Sequence, residues 1–502
     1  MVSQSDQDSL VESLQSLSRG AVVFIAGSGF SKALGFVLNV VLTQSLGAAM
    51  YGVYAFSYTI LTILADFGTL GSDRAILRFL PTETEGEGNG SVTLFISVVT
   101  ALVGSSAIAA VLFWLAPVLS ERTLNSPLFT DVVRIFAVLV PFHALTDVIL
   151  SVFRSQERLE YQVFVRDILN PIIKLLTTGI AILIGATLIG VVAAIAVTVL
   201  LIFAYTGYLL ISRSGVYPTI EGYRTRLRPH YNFSFPLAIK DVGGLIVTRI
   251  DILMIGFLLT GPDVGIYNIA VLLSGVLLFP LRGINQLVPP IISRLYKAGD
   301  FDQIQSIYGT ASRWGLIITL LPAIGIAVYR ETILSLFGAS FLIGGASVVV
   351  LSAGYLVRSA AGPSGYVLMM TDHQYLLLIN QFLLAALNIV LNYILILQFD
   401  ILGAAIATAT TRILINQVRV VEIWYLEGLF PYSVAFLKPI LAGGVTITTL
   451  LAVRQLLPTG PAVAVGAIFG SLVFGGALYL LGLEEIDKQF LTALRAKYES
   501  RR

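Results

Sequence analysis

Five residues able to grip an oxyanion or a sugar hydroxyl, Lys32, Asn39, Lys240, Arg282 and Gln286, are embedded in long apolar stretches of this 502-residue chain. Three acids share that setting: Asp66, Asp241 and Asp251. At about 100° per residue, Ser28, Lys32, Gly35, Asn39 and Thr43 fall in one narrow helical sector. So do Tyr58, Thr62, Asp66, Thr69 and Asp73, and, further on, Asn268, Gly275, Arg282 and Gln286. Lys240 and Asp251 stand three turns apart on one face, with Asp241 and Thr248 on a neighbouring sector. Each central charge costs about 2.5–3.5 kcal/mol to insert, so such groups must face water or one another. An ion pair accounts for any one of them. Four stripes together point to a solvated polar cavity.

The sign of that cavity bears on its ligand. Cations in apolar segments (Lys32, Lys174, Lys240, Arg249, Arg282, Arg412 and Arg419) outnumber the acids Asp66, Asp147, Asp241 and Asp251. Lysine and arginine are the side chains that hold phosphate oxygens, so an anionic head group fits better than an organic cation. Arg412, Asn416 and Arg419 share a face and form a second polar strip, or snorkel to the interface.

Other chemistries are poorly served. The chain has no cysteine, which removes disulfides, thiolate metal sites and thiol nucleophiles. Its three histidines, His143, His230 and His373, are scattered, so no metal or other cofactor is expected, and His143 reads as a satisfied core residue. The glycine-rich Thr82–Gly90 lacks the lysine and hydroxyl residue of a phosphate-binding loop and reads as a flexible cytoplasmic turn. A net charge of +2 gives no bulk argument for nucleic acid. No acid and base constellation stands out, Arg330 and Glu331 in an external loop being the nearest approach, so no enzyme is expected.

The elements that must position these residues are membrane helices. Hydrophobic residues make up 56% of the chain and charged residues 12%, where globular domains hold roughly 45–50% and about 25%. The expectation is an all-α integral membrane protein of about fourteen spans: 20–43, 50–78, 91–118, 128–153, 160–183, 186–212, 231–259, 264–290, 304–329, 344–370, 374–398, 401–427, 433–457 and 461–483. The polar, acidic head is expected to be a short cytoplasmic helix or tail rather than a signal peptide. Fifteen lysines and arginines on one side of these spans, against Arg122, Arg330 and Arg454 on the other, place both termini in the cytoplasm of a plasma-membrane protein.

A faint repeat links the halves. Gly52 and Tyr54 correspond to Gly265 and Tyr267, and Gly190, Ala194 and Thr198 to Gly403, Ala407 and Thr411, at a common offset of 213. Two pseudo-symmetric six-helix lobes follow, 20–212 and 231–427, joined by a basic linker, 213–230. Two additional helices occupy 428–483, and tails occupy 1–19 and 484–502.

Three stretches carry a resemblance: Arg249 to Ala270 (RIDILMIGFLLTGPDVGIYNIA), Leu287 to Ile304 (LVPPIISRLYKAGDFDQI) and Leu46 to Tyr54 (LGAAMYGVY). With Asp251, Gly265, Tyr267, Pro289, Tyr296, Gly299 and Asp300 in place, the chain resembles the polysaccharide flippases, O-antigen flippases among them, of the multidrug, oligosaccharidyl-lipid and polysaccharide exporter superfamily. The resemblance implies two lobes alternating between inward-open and outward-open states and carrying a polyprenyl-linked oligosaccharide to the external leaflet. Lys32, Lys240 and Arg282 would contact phosphate or sugar. Asp66 and Asp251 would balance them or couple to an ion, H+ or Na+. Membrane lipids and glycan-assembly enzymes are the remaining expected partners. The competing readings are a drug exporter of the same superfamily and a membrane glycan polymerase or ligase.

Overall fold

The structure, a computed structural model, describes the backbone of residues 4–84, 90–457, 459–482, 484 and 487; among these, the side chains of 4–26, 84, 241–243, 245–247, 280, 282, 286–287 and 459–460 lie outside the description. It is almost wholly helical. Contacts divide the chain into two compact units, Met1–Gly265 and Ile266–Arg502. Ten helices among the described residues are long and apolar enough to cross a membrane.

The first unit begins with α1 (Gln4–Gly68), which bends at Gly47, where φ is 68°. That backbone region favours glycine, because a Cβ there collides with the chain. It continues through α2 (Ser72–Thr84), α3 (Val92–Arg122), α4 (Pro127–Ser155), α5 (Leu159–Val163), a six-residue π-helical turn (Phe164–Leu169), α6 (Asn170–Leu183), α7 (Leu188–Arg213) and α8 (Tyr223–Leu258). The π turn has a local cause. Pro171 has no N–H to offer the carbonyl of Asp167 and its ring crowds that carbonyl, so the ladder widens and Asn170 N–H donates five residues back to Val165. Gly90 and Ser91 pair in parallel with Tyr217 and Pro218, a two-rung clasp between loops. Glu83 strengthens it, accepting from Ser91 Oγ at 2.6 Å, Thr93 Oγ1 at 2.6 Å and Thr93 N–H at 3.1 Å.

The helix α8 packs along α1, α2 and α3. Phe233 stands edge-on to Phe79 at 5.5 Å, Tyr231 shares a 2.8 Å hydrogen bond with Thr100, and Gly71 lies against the Ser234 carbonyl with no room for a side chain. Further along, Gly256 receives the ring of Phe56. The start of α9 (Gly261–Gly275) then meets α1 backbone to backbone: a Cβ on Gly52 would overlap the Gly261 carbonyl, and one on Gly265 would stand 2.6 Å from the Ala48 carbonyl. Gly52 and Gly265, matched by the repeat, therefore touch.

Most of α9 and all that follows belongs to the second unit: α10 (Phe279–Ala298), α11 (Phe301–Val328), α12 (Arg330–Ser335), α13 (Gly345–Ala360), α14 (Ser364–Met370), α15 (Gln374–Glu427), α16 (Leu437–Leu456) and α17 (Thr459–Leu480). Gly299, in the left-handed region at φ 72°, ends α10, and the Asp300 side chain caps α11 by accepting from Gln303 N–H at 3.1 Å. This stop and start gives the Gly-Asp pair of the Leu287–Ile304 stretch its physical meaning. The long α15 breaks at Asp400, with φ 51° and ψ −133°, and Gly403 beyond it lies directly on the Leu395 carbonyl. Apolar side chains fill the interior, for example Ile292, Tyr308, Val367, Leu368 and Ile423. The segment Thr82–Gly90, expected to be a flexible turn, lies mostly outside the described residues.

Candidate functional site

In the first unit the charged groups gather where α1, α4, the π turn and α6 meet. His143 and Asp147 stand one turn apart on α4. The two oxygens of Asp147 divide their partners: Oδ1 accepts from Arg166 Nη2 at 2.6 Å, and Oδ2 faces His143 Nδ1 at 3.8 Å. Arg166 reaches Asp147 from the π turn, so the irregularity caused by Pro171 lies where a guanidinium is aimed. Asp66, from α1, shares the electrostatic neighbourhood of Asp147, His143 and Arg166. His143 is half-buried, and its Nδ1 meets the Asp147 carboxylate as an ion-pair contact, 3.8 Å being too long for a hydrogen bond.

A second feature adjoins it. The Lys174 ammonium, on α6, lies 4.0 Å from the centre of the Tyr58 ring and 5.9 Å from that of Tyr54. The two rings stack at 5.7 Å, and Phe136 meets both edge-on at 6.3 and 6.0 Å, so the aromatic surface is fixed from α4. Among the described residues no carboxylate lies within ion-pair distance of Lys174, and the two tyrosines are its largest electrostatic partners. Magnitudes decide what this means. Cation–π contact is worth about 0.5–2 kcal/mol, whereas a lysine mid-membrane costs about 2.5–3.5 kcal/mol or more. The one close ring contact leaves that cost partly unmet, and the two tyrosine hydroxyls take a share of it.

The residues singled out in the sequence divide. Lys32 is exposed and is felt electrostatically by Asp167, and it does not figure among the neighbours of Asp66, so the simple Lys32–Asp66 pair is not formed. Both ends of the Asn39 amide are engaged: Oδ1 accepts from Tyr51 at 2.6 Å and Nδ2 donates to the Gly35 carbonyl at 2.7 Å. Asn39 thus braces the bend at Gly47. Asp251 is buried, one oxygen accepting from Ile252 N–H at 2.9 Å, whereas Lys240 and Arg249 are exposed. The side chains of Asp241, Arg282 and Gln286 lie outside the described residues.

In the second unit a polar seam joins the two arms of α15. Asn380 donates to both oxygens of Glu422 at 2.9 and 2.8 Å, and Asn388 donates to Thr411 at 3.1 Å. Arg412 stacks over Tyr355 at 4.3 Å, its carbonyl accepts from Asn416 Nδ2 at 2.7 Å, and its Nη1 is buried without a partner. Arg419 Nε is likewise unpartnered, and Arg358 and Glu422 are its charged neighbours. In this strip Asn416 is buried, and Arg412 and Arg419 are half-buried. A groove of about 720 Å3 on α11, α13 and α16 is lined by apolar side chains such as Leu316, Leu320 and Ile440, and contains none of the candidate polar residues. No group of three or more metal-ligating side chains occurs among the described residues.

Sequence reasoning passed over His143, Arg166 and Tyr355 as site residues, and counted Lys174 only as a buried charge. A usable signal existed: His143 and Asp147 are four apart in an apolar run, and Tyr54 and Tyr58 repeat that spacing.

These features fit a known family. Residues 17–296 match the family described as polysaccharide biosynthesis protein, and the chain belongs to that family of membrane proteins, as the motif resemblance implied. A full-length relative is the probable low-salt glycan biosynthesis flippase Agl15 of Haloferax volcanii, 24% identical over 474 residues, covering 91% of this chain and 94% of that protein. The fold is similar to that of the lipid II flippase MurJ in an inward closed conformation, with a TM-score of 0.74 at 15% identity, over 92% of this chain and 98% of that one. It is also similar to an inward-facing multidrug resistance transporter, with a TM-score of 0.63 at 12% identity, over 81% and 99%.

Proposed function

We propose that the protein is a flippase that moves a polyprenyl-linked oligosaccharide from the cytoplasmic to the external leaflet by alternating access, for surface polysaccharide or glycoprotein assembly. The observation that carries the reading is a set of cations and polar groups on apolar, membrane-length helices in a member of a polysaccharide biosynthesis family. A glycan and its phosphates need a wet, cationic path, whereas the lipid tail can remain in the bilayer. Lys32, Lys240, Arg282 and Gln286 are the proposed contacts to phosphate and sugar, with Asn39 holding the bend beside them. Asp66, Asp241 and Asp251 balance charge or couple to H+ or Na+, and Arg412, Asn416 and Arg419 extend the polar lining.

Fourteen spans suit the architecture. The bends at Gly47 and Asp400 divide two of the ten apolar helices, which makes twelve, and 159–183 and 223–258 are the other two. Those last two fall outside the ten because of the π turn and of the charges and prolines in α8. Two six-helix lobes agree with a parallel detail: Thr198 and Thr411, matched by the repeat, each bond back to an alanine carbonyl four residues earlier and across to Thr177 and Asn388. The lysine and arginine asymmetry supports cytoplasmic termini, and the flippase reading supports placement in the plasma membrane. Glu331, the acid nearest to an enzyme-like site, is held by Arg454 at 2.7 Å and serves as a staple.

The test is deletion of the gene followed by extraction of lipid-linked glycans and assay of the leaflet that displays them. Accumulation of a finished, cytoplasm-facing lipid oligosaccharide with loss of the surface glycan is the expected result. Outward-facing but unpolymerised glycan would favour a polymerase, and sensitivity to cationic drugs with normal glycans an exporter.

A further inference from the structure

We propose that Lys174, with Tyr54 and Tyr58, is an anion-receiving site inside the membrane, and that the anion is an oxyanion of the cargo, either a phosphate of the lipid carrier or a carboxylate of its glycan.

Three observations carry this. First, the position cannot be reached from the interface by the lysine itself. Lys174 has fifteen residues before it in the segment that starts at Leu159 and nine after it up to and including Leu183, or roughly 13 Å to the nearer end. That is beyond the reach of a four-carbon stem, so snorkelling does not explain it. Second, the charge is not cancelled. The rings of Tyr54 and Tyr58 offer electron density without formal charge, no carboxylate stands among the main electrostatic partners of Lys174, and the Asp147 carboxylate is paired with Arg166. The site therefore retains a net positive charge. Third, its remaining donors point to an anion. An ammonium has donors only, and a tyrosine hydroxyl that accepts from it keeps its own O–H to donate, the complement of phosphate or carboxylate oxygens. Phe136 holds both rings in place, so the receptor is formed before any ligand arrives. Arg412 over Tyr355, with its unpartnered Nη1, is the same device in the second unit.

The source of the anion rests on the flippase reading, and the experiment separates the two. Purified full-length protein in lipid nanodiscs is titrated with geranylgeranyl phosphate, with the neutral alcohol geranylgeraniol and with octyl glucuronide. The wild type should bind at least one of the two anions more tightly than the alcohol. Lys174→Met should weaken the preferred anion by about tenfold or more, the loss of a charge-assisted contact, and leave the alcohol unchanged. Preference for geranylgeranyl phosphate assigns the carrier, and preference for octyl glucuronide assigns the glycan. If Lys174→Met does not yield monodisperse protein, Tyr58→Phe serves, since it keeps the ring face and removes only the hydroxyl; a several-fold loss for the same anion is expected. Wild-type affinity for that anion in folded Lys174→Met or, failing that variant, in Tyr58→Phe overturns the site while leaving the flippase reading intact. A wild type that binds neither anion also overturns the site, while the flippase reading stands or falls on the leaflet assay.

Discussion

Asp400 occupies a backbone region, φ 51° and ψ −133°, in which a Cβ is crowded, yet the chain must double back there because Gly403 rests on the Leu395 carbonyl. Such a conformation costs a non-glycine residue on the order of 1–3 kcal/mol. Asp400→Gly should accordingly raise the thermal midpoint in detergent, by about 1 kcal/mol of stability once the greater freedom of the unfolded chain is set against the relief. A lower midpoint would show that the Asp400 carboxylate supplies something the backbone needs. Gly403→Ala should act oppositely and severely, since no movement short of opening the turn makes room for its methyl group. Neither effect is legible from composition. Asp400 reads as one polar residue between two apolar runs, and only the close return of the backbone gives it a role.

Among elements, the broken segment 159–183 is the least like its sequence. Hydropathy reads one straight span there, and the structure divides it into α5, a π turn and α6. Pro171 was the visible clue, but a proline signals a kink without saying which side chain the kink re-aims. That depends on Asp147 waiting on α4, a contact across nineteen residues that periodicity does not encode. Pro171→Ala should let the ladder close to regular α-helix, turning Arg166 away from Asp147. Transport measured by leaflet display should fall at least tenfold while membrane abundance is kept; unimpaired transport would mean that the turn is incidental. By contrast, apolar length was sufficient for the all-helical membrane class, because lipid leaves the backbone no alternative partner. The stripes mark which residues share a helix face but not how those faces pair. Asp66 found His143 and Asp147 rather than Lys32, since helix neighbours are set by packing and not by order along the chain.

At the scale of the whole molecule, Glu484 and Asp487, beyond α17, are bound back onto α16 and α11. Asp487 receives Arg313 through two hydrogen bonds, at 2.6 and 2.8 Å, and Trp314 Nε1 at 2.8 Å, while Lys438 reaches Glu484 at 2.6 Å. Burial pushes the Asp487 carboxyl up, but the bonds from Arg313 and Trp314 outweigh it and hold it below its usual value. A carboxylate with a lowered folded value contributes stability that is complete above its unfolded value and is lost as pH falls through the folded one. The tail contact should thus be intact at neutral pH and release only in acid. Trp314 reports it: Asp487→Asn at neutral pH should shift tryptophan emission as acidification shifts the wild type. Emission unchanged in both would mean that the contact does not persist in solution. The meeting of Gly52 with Gly261 and Gly265 has a further, electrical consequence. Where two helices touch through bare backbone there is no crevice for a file of water, and without water neither protons nor small ions can run down their gradient beside the helices. The same pair carries no side chains that could interlock, so backbone packing alone makes the contact, and a Cβ at either glycine would break it.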